Sequence, residues 1–407
     1  MICFEPPSLS RIQLHMTLNR LLLLSAALLQ LPVAAPAQGL ADILTNVAPK
    51  ATAVMPRRPS IIFIQCHGLG AGELSCYGQT NYQTPNLDRL AATGVKFTGY
   101  DLASAAKPDA TAAVLAGKSQ PTALEGFNLA ERLQLVGYRT CLLGEWSLDR
   151  QPWTHGFQEF AGFFDDAEAR NYYADSFWRY SPNFFYSQAL GKWTEWTPAD
   201  GPNTGGKESI YQNMGGKKSR YLPDELFTWA THFVHGNQPD KFNHFRPFFL
   251  LVNLPAPRSV TPGKDDYPVP TDAPYTGENW PQAAKNRAAL VGRIDSGVGR
   301  LLEQLSKAGL TNQLALFFSG LTAPEKFADT NLTAFFHPAG APRVPMIMHW
   351  PGQQLTKHTS AVAWTPADFA PTVLDLALIR PAANFTGISI LPALRAPATN
   401  PPAPAHP

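Results

Sequence analysis

The 407-residue sequence has little of several features that mark specialised protein classes. It contains 4 cysteines and no Cys-x-x-Cys pair, so a disulfide-rich scaffold and a cysteine-based zinc site are both excluded. Its 33 Lys and Arg nearly balance its 31 Asp and Glu, giving a net charge of +2. A nucleic-acid-binding domain shows a clear basic excess, and we therefore expect no nucleic-acid partner. A globular enzyme or binding protein remains, with one large domain or two to three ordinary ones.

Long apolar runs are also missing. The run at residues 21–31 follows Arg20 and is too short to cross a membrane, which takes about 20 residues. The small residues Ala35, Pro36 and Ala37 come next and fit a signal-peptide cleavage site. We therefore predict a signal peptide over residues 1–37, cleaved after Ala37, a linker over 38–57, and a secreted or periplasmic protein with no membrane span in its mature form.

Two points about this N-terminal region stay open. Met16 gives a more ordinary start for a signal peptide than Met1 does. A buried N-terminal helix is the alternative to a cleaved signal. After cleavage three cysteines remain, at 66, 76 and 141, which allows at most one disulfide bond.

Strand-like and helix-like segments alternate between residues 58 and 394. β-Branched, aromatic and other apolar residues predict strands at 60–65, 138–143, 247–252, 313–319 and 345–350. Apolar residues at helical spacing predict helices at 85–91, 129–135, 283–308 and 369–377. Strands separated by helices predict an α/β fold with a mostly parallel sheet sandwiched by helices. In such folds ligands bind at the carboxyl ends of the strands.

Several motifs resemble those of the sulfatases, in the alkaline phosphatase superfamily. The first covers residues 59–101 and begins PSIIFIQCHGLG; GYRTCLLGEWSLD, RPFFLLVNLPAP and RVPMIMHWPG follow in the family's order. The matches cover roughly residues 58 to 393. The resemblance implies an alkaline phosphatase/sulfatase-like fold and descent from sulfuric ester hydrolases. It also implies that the small C-terminal subdomain of the family is truncated, because a proline-rich tail at 395–407, predicted to be disordered, follows directly.

The resemblance fails at the positions that hold metal in sulfatases. These enzymes bind a divalent cation, usually calcium, and calcium takes about six to eight oxygen ligands. The family's paired aspartates correspond here to His67 and Gly68, and its later Asp-Asn pair corresponds to Gly320 and Leu321. We therefore predict no cofactor for this chain, although calcium is expected in active relatives. His67 is interpreted as a structural, hydrogen-bonded histidine, with a metal-ligand role as the alternative.

The catalytic side chains implied by the resemblance are also replaced. The cysteine or serine that becomes formylglycine aligns with Lys107, or with Ala106 after a shift of one residue, and the arginine of that motif aligns with Thr111. Three further positions, which hold Lys, His and His in the family, are occupied by Glu145, Ser147 and Arg258.

Three hypotheses describe what these replacements do. Lys107 forms an ion pair with Glu145 or Asp109 where the metal sits in relatives. Thr111 acts as a hydroxyl nucleophile. Asp109 and Glu145 form an acid/base pair, for which solvated or ion-paired carboxylates are the simpler interpretation.

The residues between 169 and 220 are rich in aromatics and predict an insertion whose rings either stack on sugars or pack against the sheet. Taken together, the sequence predicts a catalytically inactive sulfatase-like protein that binds a glycan, an anion or a protein partner. A sulfated or other anionic glycan is the expected ligand. The alternative is a hydrolase of sulfate or phosphate esters with a rebuilt site.

Overall fold

The computed structural model describes residues 58–102, 109–119, 121, 124, 127–148, 150–187, 192–195, 203–239, 246–337, 343–352, 359–381 and 384–395. The predicted signal peptide, the linker and the tail from 396 onward lie outside these residues. So do Lys107 and the Asp109 side chain. The boundaries predicted for these segments therefore stay predictions.

The described residues form twelve strands, ten of them in one sheet. The strands are β1 (Ser60–His67), β2 (Val95–Phe97), β3 (Arg139–Glu145), β4 (Glu159–Phe163), β5 (Ser176–Tyr180), β6 (Phe184–Ser187), β7 (Lys192–Glu195), β8 (Gly206–Ser209), β9 (Phe248–Pro257), β10 (Leu314–Gly320), β11 (Met346–His349) and β12 (Thr359–Ser360). The large sheet has the order β12-β2-β11-β10-β1-β9-β3-β4-β5-β8, and β6 and β7 pair with each other.

The centre of the large sheet is parallel, from β10 through β1, β9 and β3 to β4. This confirms the predicted α/β fold with a mostly parallel sheet. The predicted strand at 345–350 does form, as β11, but it runs antiparallel to β10. β5 and β8 are antiparallel additions at the other edge.

Nine α-helices are described. They are α1 (Pro85–Thr93), α2 (Asp109–Ala116), α3 (Leu129–Leu135), α4 (Asp166–Arg170), α5 (Leu222–Gly236), α6 (Gln282–Lys307), α7 (Thr330–Phe336), α8 (Phe369–Leu376) and α9 (Leu391–Arg395). The four helices predicted from apolar spacing correspond to α1, α3, α6 and α8. None of the helices in the described ranges combines the length and the apolar character that a membrane crossing requires.

The sheet separates two apolar cores. Along β1, Ile62 and Ile64 pack into one core and Ile61 and Phe63 pack into the other. All eight residues of β1 are buried, which explains why residues 61–64 form a continuous apolar run instead of an alternating pattern. Because β1 packs against a core on each face, its position is well determined, and so is the position of its carboxyl end.

The aromatic-rich segment at 169–220 contributes to the sheet and to a core. β5 and β8 come from this segment, and both belong to the large sheet. Tyr172 and Phe177 are buried in the core that also contains Ile62. At these two positions the rings pack against the sheet, as one of the two interpretations predicted.

Candidate functional site

A cavity of about 580 Å³ lies at the carboxyl ends of the central strands. Seven of the nine positions singled out from the sequence line it: His67, Gly68, Thr111, Glu145, Ser147, Arg258 and Leu321. The eighth, Gly320, pairs with Cys66 in the sheet, one residue before Leu321. The ninth, Lys107, is outside the described residues. The fold therefore gathers positions that are spread over about 250 residues of sequence.

Gly144 determines how β3 delivers residue 145 to this cavity. Its φ of +99° lies in the left-handed region that favours glycine. A Cβ atom at this position would lie 2.0 Å from the Asn253 carbonyl oxygen on the neighbouring strand. Only a glycine fits both the backbone conformation and this close approach. The end of β3 therefore requires glycine at position 144, and the next residue, Glu145, lines the cavity.

The Glu145 carboxylate is the centre of a buried charge network. Its Oε2 accepts a hydrogen bond from Nη2 of Arg258 at 2.7 Å and lies 3.1 Å from Nε2 of His67. The Glu145 and Arg258 side chains are only 6% and 4% exposed. Burial opposes ionisation of Glu145, but the hydrogen bond from His67 and the charges of His67 and Arg258 outweigh it and lower its pKa. Glu145 is therefore ionised at neutral pH.

Helix α4 extends the network. Nη1 of Arg258 donates to Oδ1 of Asp166 at 2.5 Å, and Nε of Arg170 donates to the other oxygen of Asp166 at 2.6 Å. Burial would raise the pKa of Asp166, but the hydrogen bonds and charges of Arg170 and Arg258 lower it. No family motif drew attention to α4, and sequence reasoning missed Asp166 and Arg170 on it. Their i, i+4 spacing was the one available signal.

A second ion cluster supports the loop that follows β1. The fully buried Arg287 on α6 donates to both oxygens of Glu73, at 2.8 and 2.9 Å, and to the Gly68 carbonyl at 2.9 Å. It also donates to Glu325 at 2.8 Å. Burial disfavours its charge, yet the Glu73 carboxylate raises the pKa of Arg287. This cluster positions Gly68 and Glu325, which line the cavity, whereas Arg287 and Glu73 themselves do not line it.

Thr111 lies near the start of α2, and its hydroxyl contacts a donor. Nδ2 of Asn253 donates to the Thr111 hydroxyl at 3.4 Å and to the Glu145 carbonyl at 3.1 Å. A nucleophilic hydroxyl needs a neighbouring group that accepts its proton. The contact described for Thr111 supplies a hydrogen instead, so it does not activate the oxygen for attack.

The side chains at the four family metal positions do not fit calcium. They are one imidazole, two glycine hydrogens and one leucine, none of which offers an oxygen ligand. Across the part of the chain that is described, no three His, Cys, Asp or Glu side chains are grouped closely enough to hold a metal ion. The nearby Glu145 and Asp166 carboxylates are already paired with Arg258 and Arg170, and the positive charges of these arginines would also repel a cation.

Glu145 thus has Arg258 and His67 as ion-pair partners, which the sequence analysis did not predict. The hypotheses that join Lys107 to Glu145 or Asp109, and Asp109 to Glu145, involve groups outside the described residues. The three cysteines predicted to remain after cleavage, Cys66, Cys76 and Cys141, are all free.

Comparison with known proteins identifies the family and the fold. The family model described as Sulfatase matches residues 59–379. The chain belongs to the sulfatase family. It is 33% identical to steryl-sulfatase of Mus musculus over 161 residues, which are 32% of this chain and 26% of that protein. It is 25% identical over 416 residues to N-acetylgalactosamine-6-sulfatase of Canis lupus familiaris, covering 89% of this chain and 71% of that protein.

A solved structure shares the fold of this sulfatase-family chain. It is the structure of BT4656 in complex with its substrate D-glucosamine-2-N,6-O-disulfate, with a TM-score of 0.57, 21% identity and coverage of 84% of this chain and 82% of that one. The chain thus spans about a quarter of the first relative and about seven tenths of the second. The family and the fold are shared with these proteins. Whether their chemistry is also shared depends on the residues present at this site.

Proposed function

We propose that this sulfatase-family chain is an exported binding protein without sulfatase catalysis, and that its ligand is a glycan bound in the strand-end cavity. The observation that carries the proposal is the ion network of Glu145, Arg258 and Asp166. It occupies two family catalytic positions with charges that satisfy one another. The predicted signal peptide supports export.

Three features disfavour hydrolysis. Glu145 is held in its ionised form and cannot donate a proton to a leaving group at neutral pH. Among the described residues, the hydrogen-bond partner of the Thr111 hydroxyl is an amide donor and not a base. The oxygen ligands of the family's calcium are replaced, so the positive charge that would stabilise a developing oxyanion has no place to bind.

The cavity has the size and chemistry of a sugar site. Its volume of about 580 Å³ lies within the range of about 300 to 1,000 Å³ found for small-molecule pockets. Hydroxyls of Thr111, Ser147 and Thr322 line it together with carboxylates and guanidiniums, all of which hydrogen-bond to sugar hydroxyls. Four carboxylates line it against two arginines; the carboxylates are Glu145, Asp165, Asp166 and Glu325, and the arginines are Arg170 and Arg258. This charge favours a neutral or amino sugar.

A sulfated or other anionic glycan is the second candidate. It is supported by the likeness to BT4656, whose substrate carries two sulfate groups. In that case Arg170 and Arg258 would be the donors to the sulfate oxygens, because guanidinium matches such anions in geometry and charge. The two candidates predict opposite orders of affinity for an unsulfated and a sulfated sugar.

Calorimetric titration of the purified chain with glucosamine and with glucosamine-6-sulfate tests the ligand. Ser147 is exposed at the cavity, so S147F should obstruct binding while the matched variant S147A preserves it. We expect the unsulfated sugar to bind more tightly, and the reverse order would establish the second candidate. Equal binding by S147F and S147A would place the ligand elsewhere.

Turnover tests the absence of catalysis. The same protein is incubated with 4-nitrophenyl sulfate and 4-nitrophenyl phosphate, with added calcium and with a chelator. We expect no release of 4-nitrophenol above the buffer rate in any condition. Turnover that the chelator abolishes, or that T111A abolishes, would overturn the proposal and establish a rebuilt hydrolase site.

A further inference from the structure

A second cavity, of about 550 Å³, lies between helix α5 and the strands β3, β4, β5 and β8. Arg139, Cys141 and Leu143 of β3 line it, whereas Glu145 at the end of the same strand lines the first cavity. At about 3.3 Å per residue, Arg139 and Glu145 are roughly 20 Å apart along β3. Within the described ranges the two cavities share no lining residue, and the function proposed above does not involve this one.

One wall of this cavity is a row of alternating charges across four strands. Nη1 of Arg139 lies 3.6 Å from Oε1 of Glu159, and Nη1 of Arg179 lies 3.3 Å from Oε2 of Glu208. The strand registers pair Cys141 with Glu159, Ala161 with Arg179 and Phe177 with Glu208. The four charged side chains therefore lie on one face of the sheet.

An aromatic pair joins this sheet wall to helix α5, which lies opposite it. The rings of Phe177 on β5 and Trp229 on α5 have centroids 4.4 Å apart with an interplanar angle of 30°, and both line the cavity. Phe177 is buried, but Trp229 is only half-buried. A partly exposed indole beside hydrogen-bonding groups presents an apolar surface to a ligand that is polar at its edges.

The charges in the lining balance. Arg220 and Glu225 add a third pair, 2.6 Å apart, so three guanidiniums meet three carboxylates. A sulfated ligand would bring negative charge to three carboxylates and would find each guanidinium already paired. Burial also raises the pKa of Glu159 despite the charges of Arg139 and Arg179. Its carboxyl group would therefore benefit from a hydroxyl donor.

We infer that this cavity binds a short neutral saccharide. The C–H face of one sugar ring packs on Trp229, and the hydroxyls of that ring hydrogen-bond to the paired arginines and glutamates. The volume is within the range of pockets that enclose small ligands, about 300 to 1,000 Å³. The inference stands independently of the function proposed for the strand-end cavity, because the two cavities are lined by different residues.

Saturation-transfer NMR on the full chain tests this, with maltotriose, cellotriose and chitobiose as neutral probes and a sulfated chondroitin disaccharide as the charged one. We expect at least one neutral probe to bind, and W229A to weaken that binding at least tenfold. Trp178 is half-buried on the same strand as Phe177 but packs in the other core, so W178A is the matched control and should bind as the parent does.

A second variant protects the test against misfolding of W229A. His232 is exposed on α5, three residues after Trp229, and lines the cavity, so H232W should obstruct it without disturbing the core. S147F, which obstructs the first cavity, should leave this binding unchanged. The inference is overturned if none of the neutral probes binds, if W229A and H232W both bind like the parent, or if the sulfated disaccharide binds more than tenfold tighter than every neutral probe.

Discussion

Glu145 and Arg258 show how two replaced side chains can be compatible with each other. The resemblance to sulfatases assigns a lysine to position 145 and a histidine to position 258. Here an anion is at 145 and a cation is at 258, 2.7 Å apart and almost fully buried. Removing one partner of a buried ion pair leaves an uncompensated charge, which costs about 3 to 5 kcal/mol. We therefore expect each replacement to depend on the other.

We therefore predict a coupled result for the two reversions. E145K should lower the free energy of unfolding by about 3 to 5 kcal/mol, because it places a lysine beside Arg258 and His67. R258H should also destabilise the protein, whereas E145K/R258H should recover at least half of the summed loss. Urea unfolding of the parent and the three variants measures this. Strict additivity of the single effects would contradict the coupling.

The pH dependence of stability should separate Glu145 from Glu159. Because folding lowers the pKa of Glu145 below its ordinary value of 4.5, its stabilising contribution is complete above that value and is lost as pH falls through the folded pKa. E145Q should thus be less stable than the parent at pH 7, and the difference should shrink as the pH falls below 4.5. Folding raises the pKa of Glu159, so E159Q should be at least as stable as the parent at pH 7. Urea midpoints from pH 3 to 7 provide the readout, and matching profiles for the two variants would refute this assignment.

At the residue scale, the absence of the family's site side chains was clearer from the sequence than the contacts made by the residues that replace them. The family motifs identified positions 67, 145 and 258, and the structure brings all three to one cavity. The partner of Arg258 on α4, Asp166, was not identified, because a charged residue in a short exposed helix resembles any solvated one. Its pairing depends on how α4 packs over the ends of the strands.

At the scale of elements, the end of β3 depends on two adjacent glycines in the sheet. Gly144 and Gly162 are paired in register between β3 and β4. A Cβ atom on Gly162 would lie 1.8 Å from the Gly144 carbonyl oxygen, far inside contact distance. The strands approach each other so closely here that position 144, directly before Glu145, tolerates no side chain.

G144A should consequently be among the most damaging single substitutions. We expect a loss of at least about 3 kcal/mol, since a positive φ alone costs about 1 to 3 kcal/mol and the clash with Asn253 adds to it. G137A is the matched control, because Gly137 also has a positive φ, +94°, but nothing within 4 Å of its added Cβ. Guanidinium unfolding compares the two, and equal losses would show that the close approach is unimportant.

The central strands and long helices were predictable because burial on both faces and helical spacing leave strong patterns in the sequence. The direction of β11 was not. The sequence of a four-residue strand carries no signal for the direction in which it pairs. The antiparallel pairing of β11 with β10 is set by the path of the chain between them. The same limit applies to β5 and β8, whose aromatic residues equally suited a sugar-binding insertion.

For the whole molecule, the combination of a sulfatase fold with different charged residues at the site leads to a prediction about calcium. A resident ion present at a hundred times its dissociation constant would stabilise the folded state by about 2.7 kcal/mol, which raises the melting temperature by several degrees. The strand-end cavity lacks the family's oxygen ligands and contains the Arg258 guanidinium, so we expect calcium and chelator alike to leave the melting temperature unchanged in scanning calorimetry. The variant H67D/G68D/G320D/L321N restores the four family side chains and serves as the comparison, provided that circular dichroism shows it to be folded. A calcium-dependent rise in the parent chain would mean that oxygen ligands from other residues have replaced the lost ones, and the ion network of Glu145 and Arg258 would then need a different explanation.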